Sequence, residues 1–98
     1  MTSKIFYCTR QRAMHLAQEI IREMKLRKES VDTASSTILA SRGWNFLSPG
    51  KEIEINMYAD EDRVEVAVNV ETKMKAFDFG TSEYLEEDFL LRMRDRLN

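Results

Sequence analysis

Two runs of strict alternation in the second half of the chain constrain the fold more than any other feature. The first run alternates Glu52, Glu54 and Asn56 with Ile53, Ile55 and Met57. The second places valine at every other position from 64 to 70. Successive side chains of a strand point to opposite faces, so each run predicts a strand with one apolar and one polar face. The polar residues 59–62 between the runs predict a tight connection and therefore an antiparallel hairpin.

Apolar residues at helical spacing predict two helices. The first covers residues 9–27, with Thr9 as its N-cap and an apolar stripe running from Ala13 to Met24. The second begins at Thr81 or Ser82, and its stripe is Leu85, Phe89, Met93 and Leu97. Its charges are acidic early and basic late, as the helix dipole favours. The acidic clusters 60–62 and 86–88 are expected to be solvated.

The remaining elements are short strands. Lys4–Cys8 is a first strand, and residues 29–33 and 37–42 are two more. The predicted order is β-α-β-β-β-β-α. We therefore expect an α+β fold, with an antiparallel sheet of four to five strands and two helices on one face. The length of 98 residues predicts a single domain over 1–98.

Composition excludes several classes of protein. A single cysteine permits no internal disulfide, which favours a cytoplasmic location. The chain has no apolar run of about 18 residues, so no membrane span is expected. His15 and Cys8 are the only soft metal ligands, which is too few for a zinc site. We expect no metal, no cofactor and no catalytic constellation.

Charge is distributed unevenly along the chain. Residues 1–51 carry nine Lys or Arg against four Asp or Glu, whereas residues 52–98 carry six against thirteen. Either the surface is bipolar or the fold intermixes the two signs. The basic residues of the first helix offer a nucleic-acid-binding alternative. A pI of 5.4 and strands without exposed aromatics at stacking positions disfavour it.

The segment 42–50 is the best sequence candidate for a functional surface. It holds the only tryptophan, the only proline and two of the three glycines. If it shares one end of the sheet with the turn 76–81, six residues could line a common patch: Arg42, Trp44, Phe46, Ser48, Asp78 and Phe79. Trp and Arg are frequent at interaction hot spots. The prediction is a non-enzymatic binding module for an unknown protein or small ligand, unless Trp44 is a core anchor.

An enzymatic alternative uses Asp78 as a base, assisted by Arg42 or Ser48. Proton transfer would need these groups to converge in a desolvated pocket. The tripeptide Asp78-Phe79-Gly80 is not a kinase signature here, since the chain has no glycine-rich loop and no catalytic loop.

Two turns carry a family resemblance. Ser48-Pro49-Gly50 leads into a strand, and Asp78-Phe79-Gly80 leads into the last helix. In these features the chain resembles a family of small uncharacterised bacterial α+β domains with a Ser-x-Gly turn and an Asp-aromatic-Gly turn. The resemblance implies a bacterial protein with the same order of elements, and it implies no known activity.

Self-association is also expected from the sequence. The strands 29–33 and 37–42 are short and poorly patterned, so one of them should be a sheet edge with unpaired backbone groups. We expect a homodimer formed through that edge or through the Leu85-Leu90-Met93 side of the last helix.

Overall fold

The computed structural model describes residues 1–43, 50–72 and 80–97, which form one antiparallel sheet and two helices. The elements in chain order are β1 (Thr2–Phe6), α1 (Arg10–Glu23), β2 (Arg27–Asp32), β3 (Thr37–Arg42), β4 (Lys51–Ala59), β5 (Val64–Thr72) and α2 (Thr81–Leu97). The strands lie side by side in the order β1-β5-β4-β3-β2. The predicted α+β class and the order β-α-β-β-β-β-α are confirmed.

The β4–β5 hairpin is the centre of the sheet. Its register pairs Ile55 with Val68 and Met57 with Val66, so the apolar positions of both strands share one face. The backbone N–H of Asp60 donates to the carbonyl of Arg63 at 2.8 Å and closes the turn. The alternation therefore predicted both the pairing and the dry face, and the strands extend one or two residues beyond it.

Both helices pack on the dry face. The buried residues of α1 are Ala13, Met14, Leu16, Ala17, Ile20 and Ile21, and α2 contributes Leu85, Phe89, Leu90 and Met93 to the same core. The sheet contributes Phe6, Ile38 and the alternating apolar residues of β4 and β5 to the same core. Burying each such side chain contributes about 1.5–3 kcal/mol to folding, so this layer is the main source of stability.

The first helix is shorter than predicted. Thr9 is the N-cap as expected, since its Oγ1 accepts a hydrogen bond from the Arg12 N–H at 3.1 Å. The helix ends at Glu23 rather than at residue 27, because Lys25 takes a left-handed conformation with φ of 60°. Leu26 N–H then bonds the Ile21 carbonyl at 2.9 Å, and both of these side chains enter the core.

This C-cap has the hydrogen bonds of a Schellman motif, in which glycine is the usual left-handed residue. Here the position holds Lys25, so the usual sequence signal for a helix end is missing. Because Arg27 lies in β2, Glu23 does not pair with it at the i, i+4 spacing of a longer helix. Its carboxylate instead bonds Arg92 at 2.6 Å and also Arg96, joining α1 to α2.

The sheet edges are β1 and β2, and β3 is paired on both sides. β2 is exposed along most of its length, has an irregular register between Lys28 and Ser30, and is rich in charge. Bulges and charges are the features that protect an edge from pairing. Leu85, Leu90 and Met93 are buried in the core, so that side of α2 offers no surface to a second copy. A homodimer through a sheet edge stays a prediction.

No helix in the described part of the chain combines the length and the hydropathy needed to cross a membrane.

The turn between β2 and β3 is organised by Asp32. Its Oδ1 accepts hydrogen bonds from the N–H groups of Ala34 at 3.0 Å and Ser35 at 3.3 Å. Hydrogen bonding from the backbone and then the side chain of Ser35 lowers the pKa of Asp32. The turn ends at Ser36, which is left-handed with φ of 57° and hydrogen-bonded to Arg10 at 2.7 Å.

We expect Asp32→Ala to lower the melting temperature at neutral pH and to have little effect in strong acid. A carboxyl whose pKa is depressed by folding stabilises the protein above its unfolded pKa of about 3.9. That contribution is lost as the pH falls through the folded pKa. Thermal melts of both proteins between neutral and strongly acidic pH should therefore converge on the acid side. A gap that stays constant, or an equal response from the exposed control Asp62→Ala, would contradict this assignment.

Candidate functional site

Within the described part of the chain, no other element covers the sheet face opposite the helices, and this face carries a groove. This groove has a volume of about 620 Å³. Its lining includes Arg27, Leu39, Ser41, Glu52, Glu54 and Glu71. These residues come from four adjacent strands, because β2, β3, β4 and β5 lie side by side. The polar side chains of the two alternating strands therefore line the groove, while their apolar side chains pack in the core on the opposite face.

Negative charge is concentrated in this groove. The register of β4 and β5 places Glu52 directly opposite Glu71, and Glu54 follows on the same face of β4. No hydrogen bond or ion pair joins the carboxylates of Glu52 and Glu71 to another side chain within 1–43, 50–72 and 80–97. Like charges directly opposite each other on a sheet are destabilising. Repulsion between these two carboxylates therefore lowers the stability of the free protein, and no described side chain offsets it.

Arg27 is the only basic residue among the described residues of the lining, and its nearest acidic partner is Glu29 rather than Glu52 or Glu71. Its Nη1 lies 3.9 Å from Oε1 of Glu29, and the same carboxylate oxygen accepts a hydrogen bond from Ser41 Oγ at 2.6 Å. Both interactions are at the β2 side of the groove. The β4–β5 side, with its opposed glutamates, therefore keeps its negative charge.

The groove has an apolar contact point as well as charge. Leu39 pairs with Glu54 across β3 and β4, and 39% of its surface is exposed. An exposed leucine surrounded by polar side chains resembles the centre of a small interface, where apolar surface is surrounded by a polar rim.

On the helix side of the same sheet end, polar groups are buried. Lys51 is completely buried, and its Nζ donates hydrogen bonds to Thr72 Oγ1 at 2.7 Å and Ser82 Oγ at 3.1 Å. The hydroxyls of Thr72 and Ser82 lie 3.0 Å apart. The cluster fastens the start of β4 and the end of β5 to the first turn of α2. It is a structural joint between three elements.

Arg42 of β3 lies next to this buried cluster, because it pairs with Lys51 of β4. Its side chain is half-buried, and its Nε is buried with no hydrogen-bond partner among the described residues. Arg42 also lines a smaller cavity of about 320 Å³ with Thr81 and Arg92. Of the six residues predicted to form a common patch, it is the one that the structure describes.

The other five predicted site residues, Trp44, Phe46, Ser48, Asp78 and Phe79, lie outside the described residues. The chain on either side of their two segments is described. Gly43 and Lys51 flank the first segment closely, and Thr72 and Ser82 flank the second. Because Lys51, Thr72 and Ser82 contact one another, both segments begin and end at one end of the sheet. The common patch itself stays a prediction.

His15 and Cys8, the two soft metal ligands of the sequence, lie apart from the groove. His15 is exposed and lies 3.0 Å from Glu19 on the same helix. Cys8 is half-buried, and burial raises the pKa of its thiol although Arg12 acts in the opposite direction. Within the described ranges, no three His, Cys, Asp or Glu side chains are grouped so that they could hold a metal ion.

The basic set proposed for nucleic acid is divided between elements. Arg10 donates to the Thr33 carbonyl at 2.5 Å and to Ser36, so it supports the β2–β3 turn. Arg27 and Lys28 belong to β2 rather than to the helix. The first helix therefore presents a shorter basic surface than predicted.

Sequence reasoning missed the groove carboxylates as a group. The signal was available, since Glu52 and Glu54 share the polar face of one strand and Glu71 follows the alternation of the next. Placing Glu71 opposite Glu52 requires the hairpin register, which depends on the length of the turn. Glu86, predicted to be solvated, is instead 2% exposed and hydrogen-bonded.

Comparison with known proteins adds no family assignment: no protein-family model matches this sequence, and no curated protein matches it. The resemblance drawn from the two turns stays a prediction.

Proposed function

We propose that this protein is a small binding domain that recognises another polypeptide through the open face of its sheet. The observation that carries the proposal is the groove of about 620 Å³ at the end of the sheet where both loop segments start. Its volume is within the roughly 300–1,000 Å³ of typical ligand sites.

The composition of the groove favours binding over catalysis. Its described polar side chains are carboxylates, the amide of Asn69, an arginine that forms an ion pair with Glu29, and a serine that is hydrogen-bonded to the same glutamate. Ser41 Oγ donates its hydrogen bond to the exposed carboxylate of Glu29, and the described lining of the groove holds no histidine or lysine that could activate Ser41 as a nucleophile. The exposed Leu39 supplies the apolar contact that an interface centre needs.

In this proposal, the segments 44–49 and 73–79 extend the binding surface beyond the groove. Gly43 lines the groove, and Trp44 is the next residue of the chain. We propose that Trp44, Phe46 and Ser48 contribute contacts to the bound partner. Asp78 and Phe79 do the same from the second segment, and Arg42 supports both segments from the helix side. Tryptophan and arginine dominate the energy of many interfaces.

Peptides selected on the wild-type domain from a random display library provide the test. We expect Leu39→Gln to weaken the selected peptides about tenfold, because covering an exposed leucine contributes roughly 1.4 kcal/mol to binding. The substitution changes neither size class nor charge, and residue 39 faces solvent, so the fold should be kept. Affinity is measured by titration of Trp44 fluorescence and by calorimetry.

Leu91→Gln is the matched control, since Leu91 is an exposed leucine of α2 on the other side of the molecule. It should leave affinity unchanged. Backbone amide shifts on peptide addition should cluster in β3, β4 and β5. Shifts confined to α1 and α2, or equal losses in the two variants, would refute the proposed function.

A further inference from the structure

Two carboxylates face each other in the groove, and no described side chain pairs with either of them. Glu52 and Glu71 are cross-strand partners on the open face, where directly opposite Cβ atoms are about 4.5–5.5 Å apart. Both residues are exposed, so neither is held in place by packing. Arg27, the one arginine among the described residues of the lining, lies on the far strand and is closer to Glu29.

The shape of the groove and its charge point to the same kind of occupant. A positive side chain above the Glu52–Glu71 pair would convert a repulsion into two attractions. Leu39, opposite Glu54, would receive the aliphatic stem of that side chain, since Lys and Arg commonly lay their methylenes on apolar surface. A small inorganic cation could not use both features.

We infer that the groove takes a lysine- or arginine-bearing segment of another polypeptide, with its cationic head between Glu52 and Glu71. This inference rests on the proposed function, which identifies the groove as the binding surface. It adds the chemical class of the partner. Charge complementarity across an interface mainly sets specificity and association rate, so the discrimination should be strong between peptides of opposite charge.

The test compares three synthetic peptides of equal length, built from Lys and Ser, Gln and Ser, or Glu and Ser. We expect only the Lys/Ser peptide to bind at low salt, with its amide shifts centred on the groove. Glu52→Gln and Glu71→Gln should each weaken it about fivefold, and added salt should reduce the difference. Glu65→Gln is the matched control, because Glu65 is exposed on the same sheet face outside the groove.

A second readout distinguishes a binding role from a structural one. Because each glutamate repels the other in the free protein, Glu52→Gln and Glu71→Gln should raise the melting temperature by about 2 °C while they weaken the peptide. Glu65→Gln should do neither. A lowered melting temperature in the groove variants would overturn the inference, and so would equal weakening by the control.

The outcomes also separate this inference from the proposed function. If library peptides bind and depend on Leu39, but the Gln/Ser peptide binds as well as the Lys/Ser peptide, the groove is a binding surface and the cationic class is wrong. If spermine displaces the Lys/Ser peptide at equal charge concentration, the attraction is non-specific and the inference fails. If no library peptide depends on Leu39, the proposed function fails first.

Discussion

Glu86→Ala should lower the free energy of unfolding by about 3 kcal/mol, because it removes a buried acceptor from two donors. Val70 lies just beyond the last residue of β5 that pairs with β1, which is Val68 opposite Thr2. Its N–H donates to Oε2 of Glu86 at 2.7 Å, and Thr2 Oγ1 donates to Oε1 at 2.7 Å. The carboxylate thus takes the place of the missing neighbouring strand.

Chemical denaturation followed by circular dichroism measures this effect. Glu86→Gln keeps one carbonyl acceptor and should lose less than the alanine variant. Glu87→Ala changes the neighbouring exposed glutamate and should stay within about 0.5 kcal/mol of the wild type. A Glu86→Ala variant as stable as Glu87→Ala would show that water replaces the carboxylate at Val70.

Lys51→Ala should also be strongly destabilising, by about 2–5 kcal/mol, which is the range for truncating a long buried side chain to alanine. Two losses combine. Loss of the three methylenes beyond Cβ leaves a cavity in a fully buried position, and loss of the amine removes the hydrogen bonds to Thr72 and Ser82. The joint between β4, β5 and α2 should loosen as a result, and the amides of Ser82 and Thr72 should exchange hydrogen faster.

Lys51→Met separates the two contributions, because methionine restores most of the stem volume without the amine. We expect it to recover part of the loss in the alanine variant. Lys4→Ala is the control, since Lys4 is an exposed lysine of β1. If Lys51→Ala unfolded at the same denaturant concentration as Lys4→Ala, the buried cluster would not contribute to stability.

Local patterns were sufficient for the elements whose signal lies within a few residues. The alternation at 52–70 predicted the hairpin and its dry face because side chains of a strand alternate regardless of the rest of the protein. The stripe from Leu85 to Met93 predicted the buried side of α2 for the equivalent reason in a helix. Thr9 was identified as an N-cap because its hydroxyl acts on a backbone group only three residues away.

Features that depend on contacts between segments far apart in the sequence could not be predicted. The end of α1 at Glu23 follows from Leu26 entering the core while Lys25 accepts a left-handed backbone, and no glycine marks that place. Glu86 was expected in solvent because acidic residues are favoured in the first turns of any helix. Its burial depends on β1 being shorter than β5, which only the assembled sheet decides.

The candidate site was likewise predictable only in part. By itself the sequence determined that residues 52–57 and 64–70 have a polar face, and that an aromatic segment lies between two strands. Tertiary structure decided that Glu52 opposes Glu71, that the groove opens beside Gly43, and that Lys51 is buried under α2. Register and layer packing are collective properties of the sheet, and each is set by contacts between residues far apart in the chain.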